Sequence, residues 1–262
     1  MILGIDHLAL SVASLTPISE NLQEQGWRLR FHVSGLPNRG QKHPLLSCPA
    51  QHHDIAWLAP PGTGLALELT AHGPPDTRWH APYQPVLPTA AGRTTERQAT
   101  NHEQRVQYAL QAIGHEEARP VHWQDVDSPA WQTGQSKRPL VILCTGDVAT
   151  ECDFWRQHLG WRLRRQEKNW AWLEVVSPLA QWCCELLLVQ GETRPEYPLD
   201  SAGFPCLAMF SNHLEDDLQR AGAGGARWLS DPFTLEVNRR PLRIGLLRTP
   251  GGAICELLQP EK

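Results

Sequence analysis

Gly26-Trp27-Arg28-Leu29-Arg30 returns residue for residue at Gly160-Trp161-Arg162-Leu163-Arg164. Each copy is preceded by the same two stretches, an apolar run with strand propensity and then a helix-like run. Recurrence of a whole strand–helix–exit pattern marks a fold assembled from repeated supersecondary units. Side chains at equivalent places in such units point into equivalent spaces, so the copies can be compared position by position.

Working outward, the first unit spans residues 1–73. Ile5-Asp6-His7-Leu8-Ala9-Leu10-Ser11-Val12 reads as its opening strand. Thr16 as cap and Pro17 in the first turn predict a helix over Pro17–Gln25, which Gly26 stops. Strands are expected near Trp27–Val33, Asp54–Leu58 and Leu65–Thr70. Residues 74–137 read differently: Pro74, Pro75, Pro82, Pro85 and Pro88 predict loops, a helix is expected near His102–Ile113, and the whole is an insertion, a linker or an altered unit.

Residues 138–262 repeat the first pattern twice, over 138–192 and 203–262, and are expected to form a second domain of two units. Leu140–Cys144 and Phe204–Phe210 open them, helices follow at Val148–Leu159 and Leu214–Ala221, and strands come next. Those strands are Trp161–Arg165, Trp170–Val176 and Trp182–Val189, then Arg227–Leu229, Arg243–Leu247 and Ala253–Leu258. Strands that follow one another without intervening helices predict an α+β fold with mostly antiparallel pairing.

Composition narrows the function. A net charge of −4 over 262 residues, with no Lys/Arg cluster, gives no footprint for nucleic acid. No run approaches the roughly 18 apolar residues of a membrane span. The N-terminus enters a strand at once instead of a secretory signal, so a cytoplasmic protein is expected. Seven cysteines without a Cys-x-x-Cys pair read as reduced packing residues.

The pieces together resemble the vicinal oxygen chelate superfamily, which holds glyoxalase I, bleomycin- and fosfomycin-resistance proteins and extradiol dioxygenases. Asp6 to Val12, Gly146-Asp147-Val148 with Phe154 to Gly160, Cys206-Leu207-Ala208, and Thr249 to Leu257 carry the resemblance. It implies βαβββ modules curled into cups, a small-molecule ligand, and a monomer or homodimer. It also implies one divalent metal (Zn, Ni, Fe or Mn) held by the first and last strands of each module. Carried across, the first-strand positions are His7, Leu140 and Cys206, and the last-strand positions are Glu68, Glu185 and Glu256. Leucine offers no lone pair, so the two-His-one-carboxylate set of extradiol dioxygenases is not expected.

Three readings stay open. A metal-free cup would bind a small molecule, with Glu185, Cys206, Trp170, Trp172 and Arg39 as contacts. A glyoxalase-type lyase or isomerase would use a metal on His7, Glu68 and a third ligand, with Glu68 and Glu256 as acid–base groups. His122 is the first choice for that ligand, ahead of His80, His102 and His115. A scaffold would fill its cup with its own middle segment. Trp170 and Trp172 share one strand face and line the cup or pack as core. His52 and His53 are expected to be solvated in a loop.

Overall fold

The structure, a computed structural model, describes residues 1–61, 64–88, 101–115, 118–127, 139–175, 177, 183–192 and 196–261. In chain order the first unit is β1 (Ile2–Ser11), α1 (Leu15–Glu24), β2 (Arg28–Pro37), β3 (His52–Ala59) and β4 (Ala66–Ala71). The middle segment supplies β5 (Asp76–His80), β6 (Tyr83–Pro88), α2 (Asn101–Ala112) and β7 (Ala118–Pro120). The third unit is β8 (Leu140–Thr145), α3 (Val148–Gln157), β9 (Arg162–Glu167), β10 (Trp170–Val175) and β11 (Cys184–Gln190). The last is β12 (Ser201–Ser211), α4 (Leu214–Ala223), β13 (Arg227–Trp228), β14 (Phe233–Val237), β15 (Arg240–Arg248) and β16 (Ile254–Pro260). Trp131 and Trp182 lie outside the described residues.

The repeated Gly-Trp has a backbone cause. Gly26, Gly160 and Gly225 follow α1, α3 and α4 with φ of 88°, 76° and 89°, the left-handed exit that favours glycine. The next residue drops into the core: Trp27, Trp161 and Ala226 are all buried. The N–H of Trp27 bonds the carbonyl of Leu22, and that of Ala226 bonds Ala221. The last unit is therefore a third copy, with alanine at the tryptophan's place.

Several local expectations are corrected. Helix α1 starts at Leu15 after Ser14, not after Thr16. The proline-rich stretch contains β6 instead of loop alone, and its prolines act as acceptors: Cys144 N–H bonds Pro82 and Val121 N–H bonds Pro85. Strand β14 lies between two expected strands and was not itself expected. It joins β15 through Asn238 and Arg239, both at positive φ as a tight two-residue hairpin requires.

Pairing between units differs from a 138–262 domain. Strand β1 pairs antiparallel with β12, so the first unit closes on the last. Strand β8 pairs antiparallel with β6, so the third unit closes on the middle segment. One half orders β2-β3-β4-β1-β12-β16-β15, the other β7-β6-β8-β11-β10-β9. They join where Phe204 of β12 pairs with Tyr83 of β6. The fold is α+β with one large curled sheet of two halves.

Helices α1, α3 and α4 cover one face. Leu8, Leu10, Leu67 and Leu69 meet Leu15 and Leu22 there, and Val141, Leu143, Leu186 and Leu188 meet Phe154 and Trp155. Helix α2 sits on the other face: Val106, Ala109 and Leu110 pack against Leu140, Ile142, Cys144, Trp170, Leu187 and Val189. The concave face of the second half is filled by the middle segment. No helix among the described residues is long and apolar enough to cross a membrane.

Leu110 is fully buried in that filling. Leu110→Ala is expected to cost about 2–5 kcal/mol in chemical denaturation. A loss below about 0.5 kcal/mol, the range of surface changes, would remove α2 from the core.

Candidate functional site

Register decides which side chains are equivalent. His7 lies seven residues before the residue preceding α1, Ser14; Cys206 and Leu140 stand in the same relation to His213 and Asp147. On the parallel side, Ala9 pairs with Glu68 and Ala208 with Glu256, each two residues beyond the first-strand position. In the third unit Ile142 pairs with Leu187, not Glu185. Glu185 is therefore corrected: it sits one pleat away, and the equivalent of Glu68 and Glu256 is Leu187. In the middle segment Gln84, which pairs with Ile142, takes the place of His7, which pairs with Ala208.

The first half thus gathers His7, Glu68, Cys206 and Glu256. Asp6 Oδ2 lies 2.8 Å from His7 Nδ1 and orients the ring. His7 Nε2 then faces Glu68 Oε1 at 3.7 Å and Glu256 Oε2 at 3.9 Å. His7 is 2 % exposed, and its Nε2 is buried without a hydrogen-bond partner. Thr70 Oγ1 donates to Glu68.

A residue unmarked by the sequence reading completes the cluster. A 3-10 turn over Gly40–Leu45 folds across the concave face and buries Lys42. Lys42 lines one small cavity with Glu68, Thr70, His72, Cys206 and Glu256. Its Nζ lies 5.7 Å from the Phe233 ring centroid, within cation–π range. The cavity measures about 20 Å³, room for about one water. The turn is fastened by Asp200, which accepts from Ser47 N and Oγ, and by Leu199 N–H to Leu45.

Electrostatics follows from burial. Desolvation alone would lower the His7 imidazole, but Glu68, then Asp6 and Glu256, outweigh it and raise it to about 9. Burial pushes the Glu256 carboxyl up, opposed first by Lys42. Burial and then Glu256 push the Cys206 thiol well above its ordinary range, an environment that disfavours the thiolate. Beside Lys42, His53 and His72 stack at 4.7 Å between centroids, and Asn38 Nδ2 lies 3.3 Å from His72 Nδ1. Burial and then Lys42 lower these imidazoles to about 3 and about 2. His53 is a buried strand residue, contrary to the solvated loop expected.

The other sequence candidates go elsewhere. His122 belongs to the segment before Trp123–Asp127, which packs against α1; its N–H bonds Asp125. The third group beside His7 is Glu256, so the set His7, Glu68 and His122 is not assembled. His115 meets Glu185 at 3.8 Å in the second half, and His102 Nε2 lies 3.2 Å from Cys144 Sγ. His80 is exposed on β5, and Arg39 is exposed just before the 3-10 turn. Trp170 and Trp172 face the concave side but pack with α2.

No family model matches the chain, and no curated protein matches it by sequence. Solved structures do. Glyoxalase I from Zea mays aligns with TM-score 0.57 at 16 % identity, over 98 % of this chain and 92 % of that one. A single-substitution variant of the maize enzyme gives TM-score 0.59 at 15 % identity, over 98 % and 93 %. The chain has the vicinal oxygen chelate fold. A glyoxalase/bleomycin resistance protein/dioxygenase from Alicyclobacillus acidocaldarius aligns with 47 % of it, at 14 % identity and TM-score 0.36.

The vicinal oxygen chelate fold implies a divalent metal, which the donor set here does not fit. Among the described residues no group of three or more His, Cys, Asp or Glu side chains is arranged to hold one. Lys42 adds a second obstacle: it lines the same cavity, so a divalent ion there would meet like charge in a poorly solvated space.

These shifts set opposite pH limits. His53 and His72 titrate below their unfolded value of 6.5, so their contribution is present above pH 6.5 and lost as pH falls toward about 3. His7 titrates above 6.5, so its contribution is present below pH 6.5 and lost as pH rises through about 9. Denaturation across pH 4–10 is expected to place maximum stability near pH 6.5, with slopes of about 1.4 kcal/mol per pH unit per group at most. His7→Gln should flatten the alkaline limb alone; an unchanged alkaline limb would contradict the assignment.

Proposed function

We propose that the protein binds a small polar molecule in the first-half cup without a metal, in the manner of bleomycin-resistance-type members of its fold. One observation carries the reading: His7 faces Glu68 and Glu256, which line a cavity with Lys42, and His7 Nε2 is buried without a hydrogen-bond partner. Buried ionisable groups cost stability unless fully satisfied, so a purely structural core would favour apolar residues at these places. Clusters of perturbed groups are the mark of a functional site.

A ligand larger than one water would require the Gly40–Leu45 turn to shift outward, with Lys42 reaching back on its flexible stem. Lys42 and His7 would donate to ligand oxygen, and Glu68 and Glu256 would accept from ligand hydroxyl or amine. Near-balanced charge favours an uncharged or zwitterionic compound over a strong anion. For the second half the scaffold reading is the better one: its equivalent positions are Leu140 and Leu187, and α2 covers them. The metal-dependent lyase reading loses support from Lys42.

A thermal-shift screen of small polar metabolites, with and without chelator, tests the proposal. At 100 times its Kd a ligand stabilises by about 2.7 kcal/mol. The expected hit raises the melting temperature regardless of chelator and loses its effect in Glu256→Gln. A hit abolished by chelator, or one indifferent to Glu256→Gln, would overturn the reading.

A further inference from the structure

We propose that Lys42, which lines the first-cup cavity with Glu68 and Glu256, takes the electrostatic role of a divalent metal there and excludes one. The inference rests on the metal-free reading of this site but not on the identity of its ligand.

Two carboxylates from the last strands of two units converge on one imidazole nitrogen, at 3.7 and 3.9 Å. These separations are too long for hydrogen bonds, so the three groups do not satisfy one another directly. With Asp6 on the other ring nitrogen, three carboxylates face one imidazole, so the recess keeps an acidic excess that a second cation can complement. The fourth equivalent position, Cys206, is a buried thiol that supplies no positive charge. Lys42 is the cationic lysine or arginine side chain lining that recess among the described residues.

Its approach is built, not incidental. Lys42 comes from neither of the repeated strands but from the 3-10 turn between β2 and β3, held by Asp200, Ser47, Leu45 and Leu199 from across the half. The Phe233 ring lies 5.7 Å from Nζ. Lysine suits this role because its ammonium is compact and reaches on a flexible stem, whereas the planar guanidinium of arginine needs more width. A cavity of about 20 Å³ leaves no separate compartment for a second, hydrated cation.

Removing the lysine charge should therefore let His7, Glu68 and Glu256 draw together around a metal ion. The proteins compared are wild type, Lys42→Met, Lys42→Arg, and Lys42→Met combined with His7→Ala, all stripped of metal. Zn²⁺ uptake is read by equilibrium dialysis with metal analysis, alongside circular dichroism. Lys42→Met is expected to take up one Zn²⁺ per chain at least about tenfold more tightly than wild type. Lys42→Arg keeps the positive charge and should gain no Zn²⁺ affinity, whatever its wider head group costs in stability, and the double variant should lose the gain. If Lys42→Met unfolds without metal, refolding on addition of Zn²⁺ supports the proposal and failure to refold overturns it. Stoichiometric His7-dependent Zn²⁺ uptake by wild type, or a folded Lys42→Met that binds no more tightly, also overturns it. These outcomes are independent of the metabolite screen, so a failed ligand reading and a failed cation reading are distinguishable.

Discussion

The antiparallel pairing of β1 with β12 is the constraint on which the site depends. It joins residues 200 positions apart in the chain and sets His7 beside Ala208 and Ala9 beside Cys206. Each of those strands also carries a parallel neighbour, β4 or β16, that delivers one glutamate. The pseudo-twofold relation between units then brings both glutamates toward the same point. Small side chains at Ala9 and Ala208 leave that point open, where larger residues would wedge the carboxylates apart. Neither unit alone could assemble the cluster.

The same topology is used to opposite ends in the two halves. Where the first half carries His7, Glu68, Cys206 and Glu256, the second carries Gln84, Leu140 and Leu187 with a reduced middle unit. Losing charged positions makes a concave surface that water wets poorly, and the hydrophobic effect then favours covering it. Helix α2 does so with Val106, Ala109 and Leu110. A helix that an intact unit would place on the outer face has instead become part of the filling.

The fold was legible because glycine exits and strand patterns are local properties. Gly26 and Gly160 announce left-handed helix ends, and the tryptophans after them announce the return to the core. Pairing of units was not legible, because it depends on contacts between β1 and β12 that no local pattern encodes. The glutamate equivalence failed in the third unit for a related reason: only the register separates Glu185 from Leu187. His72 had a readable signal, since it continues the two-residue spacing of Glu68 and Thr70 on one face. Lys42 had none; it lies in an irregular turn and reaches the site only through tertiary packing.

Comparison of the halves also answers whether polarity in the first cup is a requirement of the architecture. If curling this sheet demanded charged residues at its centre, the second half would need them too. At the equivalent positions it does without them, using Leu140 and Leu187 under α2, while Glu185 is buried one pleat away beside His115. The charged cluster is therefore an addition to the fold and not a condition of it. Its desolvation is only partly offset: Asp6 satisfies one nitrogen of His7, while the other has no hydrogen-bond partner. A group left in that state is held because Glu68 and Glu256 face it with opposite charge, part of which Lys42 offsets. That balance makes the cup sensitive to any molecule that can complete the missing hydrogen bond, which is the physical basis for reading it as a binding site.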